Sequence, residues 1–167
     1  NPEGRLPVTF YRTTEELPEF TDYAMKDRTY RYMKNEALYP FGYGLSYTEF
    51  TYSDAKLSET ELSEDGIVVS ATLTNTGSRE GTETVQVYVK ADREGTPNAQ
   101  LKGIKKVTLK AGESRDIQVK LPLIAFGLYD EQAVFRVQKG NYLVSIGGSQ
   151  PEARSEELTG RKVAVMG

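Results

Sequence analysis

The 167-residue chain contains no cysteine and no histidine. Without them it cannot build a thiolate nucleophile, a Cys/His zinc site, or a Ser-His or Cys-His catalytic pair. The missing cysteines also remove any argument about redox compartment, since cytosolic and secreted proteins alike can manage without disulfides. Lys and Arg number 21 against 24 Asp and Glu, a net charge of -3. That balance lacks the basic excess a phosphate backbone demands, so nucleic acid is not an expected partner. No apolar run approaches the ~20 residues that cross a bilayer, and no membrane partner is expected. There is no signal peptide and no Asn-x-Ser/Thr sequon, and localisation is left open. A start at Asn1-Pro2 without Met leads us to expect a piece cut from something longer.

At about 150 residues per domain, the length fits one domain, or one domain with an extension. A chain of this size removes roughly 70% of its unfolded surface from water, enough for a core without metals or disulfides. Leu6-Pro7-Val8-Thr9-Phe10 reads as a strand with no obvious local partner. It is expected to complete a sheet elsewhere, the alternative being an edge strand on the main sheet. Residues 12–47 lack both helical and strand periodicity, carry Pro18, Pro40, Gly42 and Gly44, and are rich in Tyr. Thr13 and Glu16 have the form of a capping box, but Pro18 limits any helix to about a turn. Phe20, Tyr23, Tyr30, Tyr32, Tyr39, Phe41, Tyr43 and Tyr47 are rings that disordered linkers lack, so the segment is read as an ordered connector against a surface between domains.

From Thr48 onward the pattern turns to short alternating runs. Ile67, Val69, Ala71 and Leu73 alternate with Val68, Ser70, Thr72 and Thr74, and the period recurs in Val85/Val87/Val89, Ile117/Val119/Leu121 and Tyr142/Val144/Ile146. Phe50/Tyr52, Ile104–Leu109, Ala133–Val137 and Val163/Val165 complete about eight candidate strands. Between them lie Asp65-Gly66, Thr76-Gly77, Ala111-Gly112, Gly140-Asn141 and Gly147-Gly148. The expectation is an all-β immunoglobulin- or fibronectin type III-like antiparallel sandwich over 48–167, preceded by a long ordered linker.

No catalytic constellation emerges. Glu15-Glu16, Glu59/Glu61 and Glu156-Glu157 are read as solvated acids in loops or at strand ends. No stretch supplies a Ca²⁺ loop, and Gly42-x-Gly44 lacks the third glycine and the preceding strand of a dinucleotide site. Catalytic residues, metal ligands and cofactors are therefore assigned as none, and substrate-binding residues as unknown. The tyrosines are read as interface packing in preference to a sugar platform. Arg28 and Arg31 could clamp a carboxylate or stack on a ring, but pairing with nearby acids is the default.

Three strings carry a family resemblance: Asn1-Pro-Glu-Gly-Arg-Leu-Pro-Val-Thr-Phe10, Arg28-Thr-Tyr-Arg-Tyr32 and Leu38-Tyr-Pro-Phe-Gly-Tyr-Gly-Leu-Ser-Tyr-Thr48. With Leu101-Lys-Gly-Ile-Lys-Lys-Val107, Leu109-Lys-Ala-Gly-Glu-Ser114, Leu128-Tyr-Asp130 and Gly140-Asn-Tyr142, the chain resembles the C-terminal part of glycoside hydrolase family 3, the β-glucosidases and β-xylosidases. The resemblance implies that residues 1–11 are the last strand of an upstream α/β-sandwich domain. Residues 12–47 would then be an interdomain linker, and 48–167 a fibronectin type III-like domain. It implies a retaining exo-glycosidase acting on β-linked oligosaccharides, whose Asp nucleophile and Glu acid/base lie upstream of residue 1, about 5 to 5.5 Å apart. This chain alone would be inactive, a non-catalytic region bracing those domains, and residues 1–47 would show an exposed apolar patch. Asp27 stands where the family often has Gly, a tolerable replacement if φ is positive there. Gly147-Gly-Ser-Gln150 departs from the family's Gly-Ser-Ser-Ser, so that loop is expected to take its own shape. Arg28–Tyr32 leans toward the xylosidase-like branch, while substrate choice stays open. The alternative is an independent carbohydrate-binding or adhesion module.

Overall fold

The computed structural model describes residues 2–130, 132–161 and 163–167. Asn1, at the head of the first resemblance string, and Glu131 and Lys162 lie outside the described residues. Nine strands are described, β1 (Phe50–Leu57), β2 (Ile67–Asn75), β3 (Gly81–Ala91), β4 (Gln100–Leu109), β5 (Ser114–Leu121), β6 (Leu128–Tyr129), β7 (Phe135–Arg136), β8 (Tyr142–Gly147) and β9 (Ala164–Met166). They form a three-stranded sheet β1-β2-β5, a four-stranded sheet β4-β3-β8-β9 and a two-stranded ribbon β6-β7, all paired antiparallel.

Period-two alternation builds the sandwich. In β2 every second residue from Ile67 to Asn75 is buried, and the register sets Val69 opposite Val119 and Ala71 opposite Ile117. Their shared inner face meets Val85, Val87 and Val89 of β3, with Phe50, Leu73, Leu109, Leu121 and Ile146 fully buried among them. Burying side chains of this kind contributes about 1.5–3 kcal/mol each. At the end of β2, buried Asn75 donates to the carbonyls of Arg79 and Leu109, and its Oδ1 accepts from the Thr48 hydroxyl and the Gly77 N–H. Every polar atom of that side chain is satisfied, which fixes the turn into β3.

Several expectations need correction. The fold is mostly antiparallel β but not purely so, because two short helices, α1 (Thr29–Tyr32) and α2 (Ala153–Thr159), are present. Glu156 and Glu157 lie within α2 and not in a loop, and Arg154 pairs with Glu157 across one turn at 2.6 Å. Gly160, at φ 64, ends the helix in the left-handed conformation. Ala133–Val137 does not join the sandwich, since only Phe135–Arg136 is a strand and it pairs with β6 in the outlying ribbon. Leu6–Phe10 forms no extended strand within this chain, and its backbone partner is a segment far along the sequence, residues 38–43. Leu6 N–H donates to Tyr43 O, Gly42 N–H to Leu6 O, Phe10 N–H to Tyr39 O and Leu38 N–H to Phe10 O. Sequence separation hides that pairing, because about 30 residues intervene. Residues 14–16 form a single 3₁₀ turn, but Thr13 caps nothing through its side chain, and Glu16 instead accepts the Arg12 N–H at 3.1 Å.

Candidate interaction face

β3 is buried on both sides. Val85, Val87 and Val89 face the core, while Thr82, Thr84, Gln86 and Tyr88 face outward and are buried too. The cover is the connector, and polar side chains tie it down. Gln86 donates through Nε2 to Gly42 O at 3.0 Å and to Gly148 O at 2.7 Å, and its Oε1 accepts the Tyr88 hydroxyl at 2.6 Å. Burial holds that hydroxyl far above the usual phenol range, with Tyr30 and Glu152 adding to the shift. Gly42 has φ 78, and a side chain there would run into Gln86 Oε1 and the Tyr88 hydroxyl. Only glycine meets both demands.

Further along, the backbone carbonyl of Tyr30 accepts from Asn98 Nδ2 and Gln150 Nε2, and its hydroxyl accepts the Leu101 N–H. Its ring stacks on Phe41 at 4.0 Å. Asn98 also closes on Met33 O and, through its backbone N–H, on Arg31 O. The Gln150 N–H reaches Phe41 O, so the Gly147–Gln150 loop is itself part of the seam. At the open end of the sandwich, Arg5 donates to Glu83 Oε2 at 2.6 Å and the Tyr52 hydroxyl donates to Glu83 Oε1 at 3.0 Å. Burial, then the Glu83 charge, push the Tyr52 hydroxyl well above the phenol range.

With its inner side committed to the sandwich, the connector turns an apolar side outward. Eleven of the eighteen exposed large hydrophobic side chains among the described residues fall in residues 2–47, with Phe20 94% and Tyr23 89% exposed. Two grooves run along this face. One of about 830 Å³ is lined by Val8, Tyr11, Leu17, Phe20, Met25 and Arg31, and one of about 700 Å³ by Leu6, Phe10, Tyr39, Tyr43 and Leu45. Asp27 and Thr29 flank the larger groove with φ of 57 and 55. The positive φ at Asp27 fits its standing where the family often has Gly, whereas a β-branched residue in that region is strained.

The two arginines behave differently from the default expectation of acid pairing. Arg28 donates to the carbonyls of Ala24, Glu19 and Asp22, knitting its own loop. Arg31 lies over the Tyr30 ring, 6.0 Å from its centre, and makes no ion pair among the described residues. Burial, then the Arg31 charge, lower the pKa of Lys102 beside it. The acidic pairs noted in the sequence are not brought together, and among the described residues no group of three acids could hold a metal ion. Sequence reasoning missed Glu83 and Gln86. A signal existed for the first, since Glu83 shares the parity of Val85, Val87 and Val89 and so points inward. For Gln86 no sequence signal separated a covered outer face from a solvated one.

Residues 1–47 match the model of the glycosyl hydrolase family 3 C-terminal domain, and residues 83–150 that of the fibronectin type III-like domain. The chain corresponds to a family 3 C-terminal domain segment joined to a fibronectin type III-like domain. It is 40% identical over 164 residues to a xylan 1,4-beta-xylosidase of Xylanibacter ruminicola, covering 95% of this chain and 18% of that relative. It is 36% identical over 162 residues to a periplasmic beta-glucosidase of Salmonella typhimurium, covering 88% of this chain and 21% of that one. The fold superposes on the crystal structure of a Bifidobacterium adolescentis family 3 beta-glucosidase with a TM-score of 0.76 and 30% identity, over 99% of this chain and 26% of that chain. The chain therefore spans about a fifth to a quarter of the length of these proteins.

Proposed function

We propose that the chain is a non-catalytic accessory region of a retaining, exo-acting β-glycosidase of β-glucosidase or β-xylosidase type, and that it braces that enzyme's catalytic domains. In this reading residues 1–11 belong to the end of an upstream α/β-sandwich domain, 12–47 are the linker and 48–167 the sandwich. Nucleophile, acid/base and sugar pocket lie in the upstream domains, and the chain contributes no catalytic residue. The observation that carries the proposal is the two-sided connector. Its inner side is hydrogen-bonded to β3, β4 and the 148–150 loop, and its outer side exposes a run of large apolar groups that a free surface rarely carries together. The aromatics support docking better than sugar binding. Tyr30 is stacked on Phe41 and Tyr39 on Tyr43, each pair within 14° of parallel, so one face of each of these four rings is already occupied by another ring.

The test is complementation. A family 3 catalytic part lacking these residues is expressed with and without the 167-residue chain and assayed on aryl β-xylosides and β-glucosides. Activity is expected only when both are present, together with their co-elution. Turnover by the chain alone, or calorimetric binding of xylo-oligosaccharides by it with no association to the catalytic part, would overturn the proposal in favour of an independent module.

A further inference from the structure

We infer that the Arg5–Glu83 ion pair is a latch that fixes the N-terminal arm, residues 2–10, on the open end of the sandwich and so shapes the 700 Å³ groove beside it. Glu83 points inward, and its side chain is 1% exposed while that of Arg5 is 10% exposed. Burying a carboxylate is costly unless it is paired and hydrogen-bonded. The guanidinium that meets it comes from 78 residues away, and the Tyr52 hydroxyl takes the other oxygen. The surroundings are shaped to admit it. A Cβ on Gly44 would lie 2.5 Å from Gly4 O and 2.8 Å from Arg5 Nη1, and a side chain on Gly148 would strike Glu83 Oε1. A cavity of about 30 Å³, lined among others by Arg5, Tyr52, Glu83 and Arg161, adjoins the pair, and buried Arg5 Nε has no partner.

Among the described residues four backbone hydrogen bonds join the arm to residues 38–43 of the connector, but its other ties to the sandwich are slight. Thr84 reaches Glu3 O at 3.2 Å, and Lys106 meets the Glu3 carboxylate at 3.2 Å with both side chains well exposed. Exposed pairs of that kind contribute little. A buried pair whose desolvation cost nearly offsets its attraction contributes chiefly geometry, and losing one member leaves the other charge stranded. The Arg5–Glu83 pair is therefore the arm's one buried ion pair with the sandwich among the described residues, and together with the backbone bonds to residues 38–43 it sets where Arg5 and Leu6 bound the groove.

Amide hydrogen exchange on the full 167-residue chain tests the inference with Arg5→Met, Glu83→Gln, the double variant and Arg161→Gln. In Arg5→Met the Leu6, Phe10 and Gly42 amides are expected to exchange about 100-fold faster, the scale of a broken buried pair, while Val87 and Ile146 change far less. The double variant strands no charge, so its sandwich amides should stay protected while the arm remains fast, which keeps the test valid if a single variant folds poorly. Arg161→Gln, in the same cavity but bonded to neither carboxylate oxygen, should leave the arm as it was. Protection of the arm in the double variant, or equal acceleration of arm and sandwich, overturns the latch. The measurement needs no catalytic part, so its failure leaves the docking proposal standing, and failed complementation leaves the latch standing.

Discussion

Gln86→Leu isolates the polar joint between connector and sandwich. The leucine is close in size, but it leaves Gly42 O, Gly148 O and the Tyr88 hydroxyl without the partners that Gln86 supplies. A buried polar group left unsatisfied costs about 1–3 kcal/mol, so three cost roughly 3–6 kcal/mol after partial relaxation. The apolar side chain returns about 1–2 kcal/mol by burial. The expected net loss is about 2–4 kcal/mol, a large share of the 5–15 kcal/mol typical of a domain. Tyr88→Phe removes one donor and leaves only Gln86 Oε1 unpaired, for a loss of about 1–2 kcal/mol. The two are not additive, because once Gln86 is gone the Tyr88 hydroxyl is already stranded and its removal should recover part of the loss. Urea unfolding followed by far-UV circular dichroism measures all three, the chain having no tryptophan to report by fluorescence. Stability of Gln86→Leu within 0.5 kcal/mol of the parent, as expected for an unconstrained surface site, would refute the claim that the outer face of β3 is sealed.

Other perturbations follow from the same geometry. Gly42→Ala combines a strained φ with a clash against Gln86 and Tyr88, and should cost about 2 kcal/mol or more in the same assay. Burial, then the Glu36 carboxylate, raise the Glu152 pKa above its ordinary 4.5. The folded state thus binds that proton more tightly than the unfolded chain, and stability falls as pH rises from about 4.5 through the raised value. Glu152→Gln should flatten that fall and raise stability at pH 7, as read by thermal melts across pH. Phe20→Ser with Tyr23→Ser should leave stability within about 0.5 kcal/mol, since both rings are almost fully exposed, yet abolish complementation of the catalytic part.

The sandwich was legible in the sequence because period-two alternation and turn residues are local signals. The strands expected around Val69, Val87, Val119 and Val144 are observed as β2, β3, β5 and β8. Pairings made across distance were not legible. The arm at Leu6–Phe10 meets residues 38–43 through backbone groups, which leave no trace in side-chain pattern. Arg28 likewise finds carbonyls instead of acids, because a tight loop brings its own backbone within reach of the guanidinium. α2 escaped notice since Pro151 and Gly160 frame only seven helical residues, too few to show a period.

The burial of β3 on both faces bears on what the sandwich is for. An isolated sandwich of two antiparallel sheets keeps its outer faces wet, with polar residues there bonding to water. Here Gln86 bonds to the connector and Thr84 to the arm, so those bonds form only when both are seated. Removing the connector would expose Tyr88 and leave Gln86 without Gly42 O, and removing the sandwich would leave a Tyr-rich segment with only two short helical turns of its own. Each part supplies what the other lacks. A segment without repetitive structure gains a fixed shape from side chains such as Gln86, Asn98 and Gln150, and a fixed shape lowers the ordering cost that a flexible partner surface would incur on docking. In the proposed assembly the sandwich acts as a template, and its contribution is measured by how little the aromatic face has left to order when it meets its partner.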